Sequence, residues 1–404
     1  MNIRHISYIL MAALLLAVLP SSAQRKEIDQ ARSAIKTGKE SDLAKAEKLL
    51  TALFSADETH RQNLKIYVAW FDVVTRQYEL ANEKLYLHQK YDTVAFFNLT
   101  RHLYDIAVTT DSIDASPDKK GKVRPRYRRE HSQLLNLLRP NLYYGGTYHI
   151  RKGNYGEAYE FFDHYLGAAS NPLFEAYHYE TTDSIMPQAA YWAVFCGHRL
   201  QDAERTLRYS QQALRDLPKR QFVLQYLCDA FQWQQQQEAY VETLREGFEA
   251  YPEYPYFFPR LADYYTAKGQ TDSVMVIANR GIEINPQNTL FLLAKSIALL
   301  NTERYDECIA VSQQMLQIND TLPEPYYHIA TCYLNQALAL EQLNEPRRFR
   351  SQLQKLYANA RPYMEDYRRL MPADRQRWAP ALYRIYLNLN MGRQFEEIDR
   401  LMKQ

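Results

Sequence analysis

Between Tyr256 and Leu299 the apolar positions recur with the period of a helix. Phe258, Leu261, Ala262 and Tyr265 stand at i, i+3, i+4 and i+7, which is one face of an α-helix. The pattern repeats at an offset of 34 residues. Leu224, Phe258 and Leu292 form one column of large side chains, and Cys228, Ala262 and Ser296 form a column of small ones. Phe231, Tyr265 and Leu299 follow, while Leu227 pairs with Leu261, Gly247 with Gly281 and Pro252 with Pro286. Several columns of matching size at one stride predict stacked helical hairpins. No long period-two alternation occurs anywhere, so the predicted class is all-α, without strands.

The first half carries the same helical patterning with less regularity. Residues 27–54 predict a hairpin whose second helix, SDLAKAEKLLTALF, has Ser41 as its expected N-cap. Leu64, Tyr67, Val68, Phe71 and Val74, with Trp70 adjoining, predict a third helix. Val94, Phe97, Leu103 and Ile106 predict its partner. Gly146, Gly153, Tyr155, Ala158 and Phe162 mark a clearer unit, and the one between Ala189 and Leu214 is degenerate.

A stride of 34 residues with large and small side chains at these spacings resembles the tetratricopeptide repeat, most clearly from Gln221 to Asp320. Phe258, Leu261, Ala262 and Tyr265 stand where that family has its first-helix residues, and Val274, Ala278 and Pro286 where it has the second helix and closing proline. Val274 and Ala278 depart from the usual sizes, and Asp320 replaces the next proline. The resemblance implies helix-turn-helix repeats stacked into a right-handed superhelix, an α-solenoid, with a concave face lined by first helices. It divides the chain into N-terminal hairpins at 24–112, a basic linker at 113–130 and repeats at 131–404. Insertions near 168–188 and 336–377 interrupt the repeats; the second is an added segment or an extended helix, and LYRIYLNLNMGRQFEEIDRLM closes the array as a helical pair. The aromatic run YPEYPYFFPRLADYYTAKGQ is then mostly packing between repeats, not a platform for stacking ligands.

Composition narrows the role. Lys and Arg number 49 against 47 Asp and Glu, a balance that argues against a nucleic-acid partner. Tyrosine, at 33 residues, is conspicuously frequent. Arg4 and His5 precede the apolar run ISYILMAALLLAVL, then Pro20 and Ser21, Ser22 and Ala23. That is the layout of a cleavable signal peptide over residues 1–23, leaving Gln24 first. The expected location is exported, periplasmic or secreted. No cysteine lies near the cleavage point, so lipid attachment is not expected, and the most apolar later stretch, TLFLLAKSIALL, holds Lys295 at its middle. Stable membrane insertion of the mature chain is not expected.

Chemistry-bearing motifs are missing. There is no HExxH, GxSxG, phosphate loop or EF-hand pattern, and His149, His164 and His178 lack metal-ligand spacing. The expectation is a non-enzymatic protein without cofactor or metal. Cys196, Cys228, Cys308 and Cys332 form no CxxC pair; Cys228 and Cys308 fit small-residue columns. Filler is the favoured role, with a Cys308–Cys332 bridge as the alternative. DASPDKKGKVRPRYRR carries seven basic residues, read either as an anion site or, by preference, as a solvated connection; QQQQ at 234–237 is read as turn filler.

The groove expected to hold a protein or peptide is lined by first-helix residues outside the packing columns. They are Asp229, Gln232 and Trp233, then Tyr256, Asp263 and Thr266, then Ile297, Leu300 and Asn301, then Tyr327, Thr331 and Asn335. This face lacks the basic residues of the family's carboxylate clamp. The competing reading is an envelope glycan binder, which requires Trp233 and Tyr256 to be exposed and coplanar.

Overall fold

A computed structural model describes residues 24–343 and 346–403, and no strand occurs among them. The proposed signal peptide, residues 1–23, lies outside the described residues. Two compact units divide the chain, one ending at Tyr240 and one beginning at Val241.

The first unit opens with α1 (24–37) and α2 (Glu40–Ala56), followed by α3 (Leu64–Tyr86), α4 (Thr93–Asp114), α5 (Arg128–Arg151) and α6 (Tyr155–Gly167). An insertion with α7 (Tyr179–Thr182) precedes α8 (Met186–Arg199), α9 (Ala203–Arg208), α10 (Ser210–Ala213) and α11 (Arg220–Trp233). The boundary falls in α12 (Gln237–Ala250). The second unit continues with α13 (Phe257–Ala267), α14 (Thr271–Ile284), α15 (Thr289–Asn301), α16 (Tyr305–Ile318), α17 (Pro323–Gln342), α18 (Pro346–Leu370), α19 (Arg375–Asn388) and α20 (Gly392–Met402). From α13 on, every helix packs against its successor, the nearest-neighbour pattern of a solenoid. The fold is all-α and of tetratricopeptide type.

The stride is visible in the backbone itself. Gln201, Gln235, Gly269 and Glu303 have φ between 55° and 67°, and they lie 34 residues apart. Each follows a first helix, where a left-handed residue lets the last carbonyls find donors. The next residue closes the turn in every case: Asp202 N–H donates to Gly197 O at 3.0 Å, Gln236 to Phe231 at 2.9 Å, Gln270 to Tyr265 at 2.8 Å and Arg304 to Leu299 at 2.9 Å. The QQQQ run is therefore a turn, as expected, but Gln235 within it holds a conformation that glycine adopts at less cost.

The columns are largely buried, as their periodicity predicts, with Phe231 and Ala262 half-buried. Leu224, Phe258, Leu292, Leu261, Tyr265, Leu299, Cys228 and Ser296 are all buried. A second pairing at the same stride supports them. A Cβ on Gly247 would lie 2.3 Å from the Phe257 ring, and one on Gly281 would lie 2.6 Å from Phe291. Bare glycine backbone lets the next aromatic ring seat against the helix. Gly145 and Gly146 do the same for Phe161 and Phe162 between α5 and α6.

Tyrosines supply much of the remaining packing, and their hydroxyls seek carboxylates. Tyr165 donates to Asp183 at 2.7 Å and Tyr209 to Asp163 at 2.7 Å in the first unit. In the second unit Tyr357 donates to Glu341 at 2.5 Å, Tyr367 to Asp374 at 2.6 Å and Tyr386 to Glu365 at 3.0 Å. Arginines complete several of these links: Arg139 pairs with Asp183, Arg208 with Asp163, Arg377 with Asp374 and Arg384 with Glu341. A ring in the core with a hydroxyl at its edge bridges helices while its polar atom keeps a partner.

Two local expectations change, and one open alternative closes. Ser41 lies inside α2, which begins at Glu40 with Lys39 at the cap position and no side-chain cap. Leu103 and Ile106 are buried in α4 as expected, together with Phe96, Tyr104 and Ala107, whereas Val94 and Phe97 are only half-buried. Residues 336–377 are helical for most of their length, as the end of α17 and all of α18, so the extended-helix alternative describes them.

Candidate functional site

The candidate lining residues fall in both units. In the first, Trp233 and Gln232 are exposed at the end of α11, and Trp233 is 39% accessible. Asp229, half-buried, accepts from His198 Nε2 of α8 at 2.8 Å. The His198 ring lies 4.4 Å from Tyr226 and 5.4 Å from Trp233, nearly parallel to the latter at 28°. Phe195, 6.1 Å from Tyr226, extends the same aromatic surface. The α8 contribution was not legible because it comes from the degenerate unit.

In the second unit Asp263 and Thr266 are exposed on α13, and Asn301 and Ile297 on α15, with Leu300 half-buried. The Thr266 hydroxyl bonds back to the Ala262 carbonyl at 2.8 Å. On α17, Tyr327, Thr331 and Asn335 are half-buried. Tyr327 packs 5.1 Å from Tyr367, and the Arg377 guanidinium lies over its ring at 5.1 Å. Arg377 comes from α19 and is held there by Tyr367 and Asp374.

Tyr256 does not line a groove. It is buried at 7% exposure, with the Arg260 guanidinium 3.7 Å above its ring and Phe257 edge-on at 5.4 Å. Its place just before α13 and its aromatic character suggested a lining role, but the arginine one turn later folds back over it. An exposed coplanar pair of Trp233 and Tyr256, which the glycan reading required, is therefore not present.

A feature the sequence did not flag lies in the first unit. A cavity of about 750 Å³ opens among α2, α3 and α4, lined by Glu47, Gln77, Tyr91, Asn98, Arg101 and His102, among others. Glu47 accepts from Trp70 Nε1 at 3.2 Å and Gln77 Nε2 at 2.8 Å, and meets His102 Nε2 at 3.0 Å. Burial raises the Glu47 pKa, but these three partners outweigh it and hold the carboxyl below its ordinary value. Arg101 is tied to Glu157 at 3.0 Å, so the charges around the cavity are already paired. No spacing rule could reveal it, because its residues come from three helices.

All four cysteines are buried thiols, and Cys308 donates to the Ser296 carbonyl at 3.2 Å. Burial pushes the Cys196 thiol up to about 12, which makes it inert as a nucleophile. Among the described residues no three His, Cys, Asp or Glu side chains gather as a metal site, and no helix is long and apolar enough to cross a membrane.

The repeat class stated above rests on this geometry. No family model matches the sequence, and no curated protein matches it. Among solved structures, the C-terminal part of a TPR repeat-containing protein from Cytophaga hutchinsonii is similar at 11% identity and a TM-score of 0.42, covering 63% of this chain and 92% of that one. The TPR2AB domain of yeast Sti1, in complex with pHSP90, is similar at 15% identity and a TM-score of 0.26, covering 74% and 95%. The human IFIT1 dimer with PPP-AAAA gives 16%, a TM-score of 0.34, and coverage of 81% and 72%. At these values the ligand of this chain has to be argued from its own residues.

Proposed function

We propose that this protein is a non-enzymatic interaction scaffold that holds a protein or peptide partner along first-helix faces. In this reading residues 1–23 direct export and are removed, and the mature chain works in the periplasm or outside the cell. One observation carries the binding role. Asp263, Thr266, Ile297 and Asn301 stay exposed on successive first helices while the neighbouring columns are consumed in packing. Such a mixed lining of apolar and polar groups suits a polypeptide, whose side chains and amides need both.

The test begins with cross-linking in envelope extracts, followed by titration of the purified partner. Ile297→Ala is expected to weaken binding about tenfold or more with little change in melting temperature, as an exposed anchor does. Unchanged affinity, or a loss of stability matching that of the core variant Leu261→Ala, would remove the assignment. Soluble glycans are expected to leave Trp233 fluorescence unaltered.

A further inference from the structure

The basic stretch after α4 is an organised loop. Asp118 Oδ1 accepts from the backbone N–H groups of Lys120 at 2.8 Å and Lys122 at 2.9 Å, and Gly121 N–H returns to the Asp118 carbonyl at 2.8 Å. The far end is fastened by two buried carboxylates. Asp114 accepts the backbone N–H of Arg126 and that of Tyr127, the latter at 2.9 Å. Asp111 takes a two-pronged bond from Arg128 at 2.8 and 2.7 Å.

These anchors hold the tip outward. Lys119, Lys120, Lys122 and Arg124 are exposed, and none makes an ion pair among the described residues. Arg126 reaches Asp114 only at 3.8 Å and is 74% accessible, and Arg129 is exposed one turn along. Against them Asp118 is the tip's single acidic residue, and its carboxylate is spent on backbone amides. Val123, flanked by Lys122 and Arg124, is 52% exposed. A solvated connection needs neither three aspartates to shape it nor an apolar side chain at its crest.

We propose that the loop of residues 115–127 is a peripheral docking element for an anionic lipid surface. The cations meet headgroup phosphates, each contributing a modest attraction that falls off within a Debye length. Val123 enters the interface between them. That side chain favours a bilayer over a soluble polyanion, which offers phosphates or sulfates but no apolar layer. The chain adsorbs by this loop and does not insert.

The experiment uses the purified chain from Gln24 onward, which contains all the described structure. It is sedimented with vesicles of phosphatidylcholine alone and of phosphatidylcholine with phosphatidylglycerol. Binding is expected only with phosphatidylglycerol and is expected to fall steeply as salt rises. The variant Lys119→Gln, Lys120→Gln, Lys122→Gln and Arg124→Gln is expected to lose about a hundredfold or more in partitioning, given roughly additive contributions from four cations. Val123→Ser is expected to weaken binding a few-fold at high salt, where charge is screened. Circular dichroism guards against misfolding, since all five positions are exposed. Equal binding to neutral vesicles, an unaffected charge variant, or capture by dextran sulfate with no vesicle binding would each overturn the proposal. None of these results bears on the first-helix faces, whose test reads a different ligand.

Discussion

The two units solve one packing problem in different ways. Between Gly247 and Phe291, a glycine on one helix meets an aromatic ring on the next at a stride of 34 residues, as Gly281 meets Phe291. Before Gln201 the stride lapses, and the insertion at 168–188 is tied in by charge. There Arg139, 5% exposed, lies 3.8 Å over both the Tyr165 and Tyr179 rings and pairs with Asp183 at 2.6 Å. Regular repeats can rely on shape, because each interface resembles the last. An irregular one needs a specific polar latch, which stabilises only when every member is satisfied.

The largest expected effect comes from breaking that latch. Asp183→Ala leaves Arg139 buried without its anion and is expected to cost about 3–5 kcal/mol, read as a lower denaturation midpoint. Hydrogen exchange should report opening in residues 168–188 first. Protection there equal to that of the parent chain would show that the latch is dispensable.

Acid separates the units next. His328 in the second unit is buried against Ser296 Oγ at 2.9 Å; burial, then Arg377, drives its pKa down to about 4. The folded form thus refuses a proton that the unfolded chain takes up near pH 6.5. Stability is full above pH 6.5 and declines as pH falls toward 4, by an amount on the order of 3 kcal/mol. In the first unit the shifts oppose one another. Burial lowers His131 and His149, whereas His164 is raised, its Asp105 and Glu160 carbonyl bonds outweighing burial. His328→Asn is expected to flatten the acid slope of exchange in α17; an unchanged slope would assign it to other groups.

Gly281→Ala probes shape complementarity. The added methyl meets the buried Phe291 ring and is expected to cost about 1–3 kcal/mol by overpacking. A Phe291→Leu background should relieve part of that cost, and no relief would mean the strain lies elsewhere. The smallest effect is a gain. Gln235→Gly and Glu303→Gly relieve left-handed side-chain strain at two turns and are each expected to stabilise by about 0.5–1 kcal/mol. A loss in both would show that their side chains contribute more than the strain costs.

What the sequence disclosed follows from the same contrast. Phe258, Leu261 and Tyr265 were legible because shape-based interfaces repeat, and repetition can be seen in a string. The Phe257–Phe291 column at the same stride was missed, since each phenylalanine adjoins another large residue that drew the assignment. The tyrosine excess was noted but not explained, because Tyr357 finds Glu341 and Arg384 only after three helices have packed. Tyr256 was misjudged because the Arg260 guanidinium covers its ring, and the Arg377–Tyr327 contact joins residues that no single-helix spacing connects. Of the candidate face, exposure at Asp263, Thr266 and Asn301 could be read from spacing, and the His198 neighbourhood of Trp233 could not.

The left-handed turns act as punctuation, which makes the array divisible. Removing residues 270–303 would place Arg304 directly after Gly269, and Arg304 already stands at the start of a second helix as Gln270 does. Chain length in such a molecule can change by whole modules without any new junction being invented. A cut within these repeats that is not a whole number of strides would put their turn residues out of step.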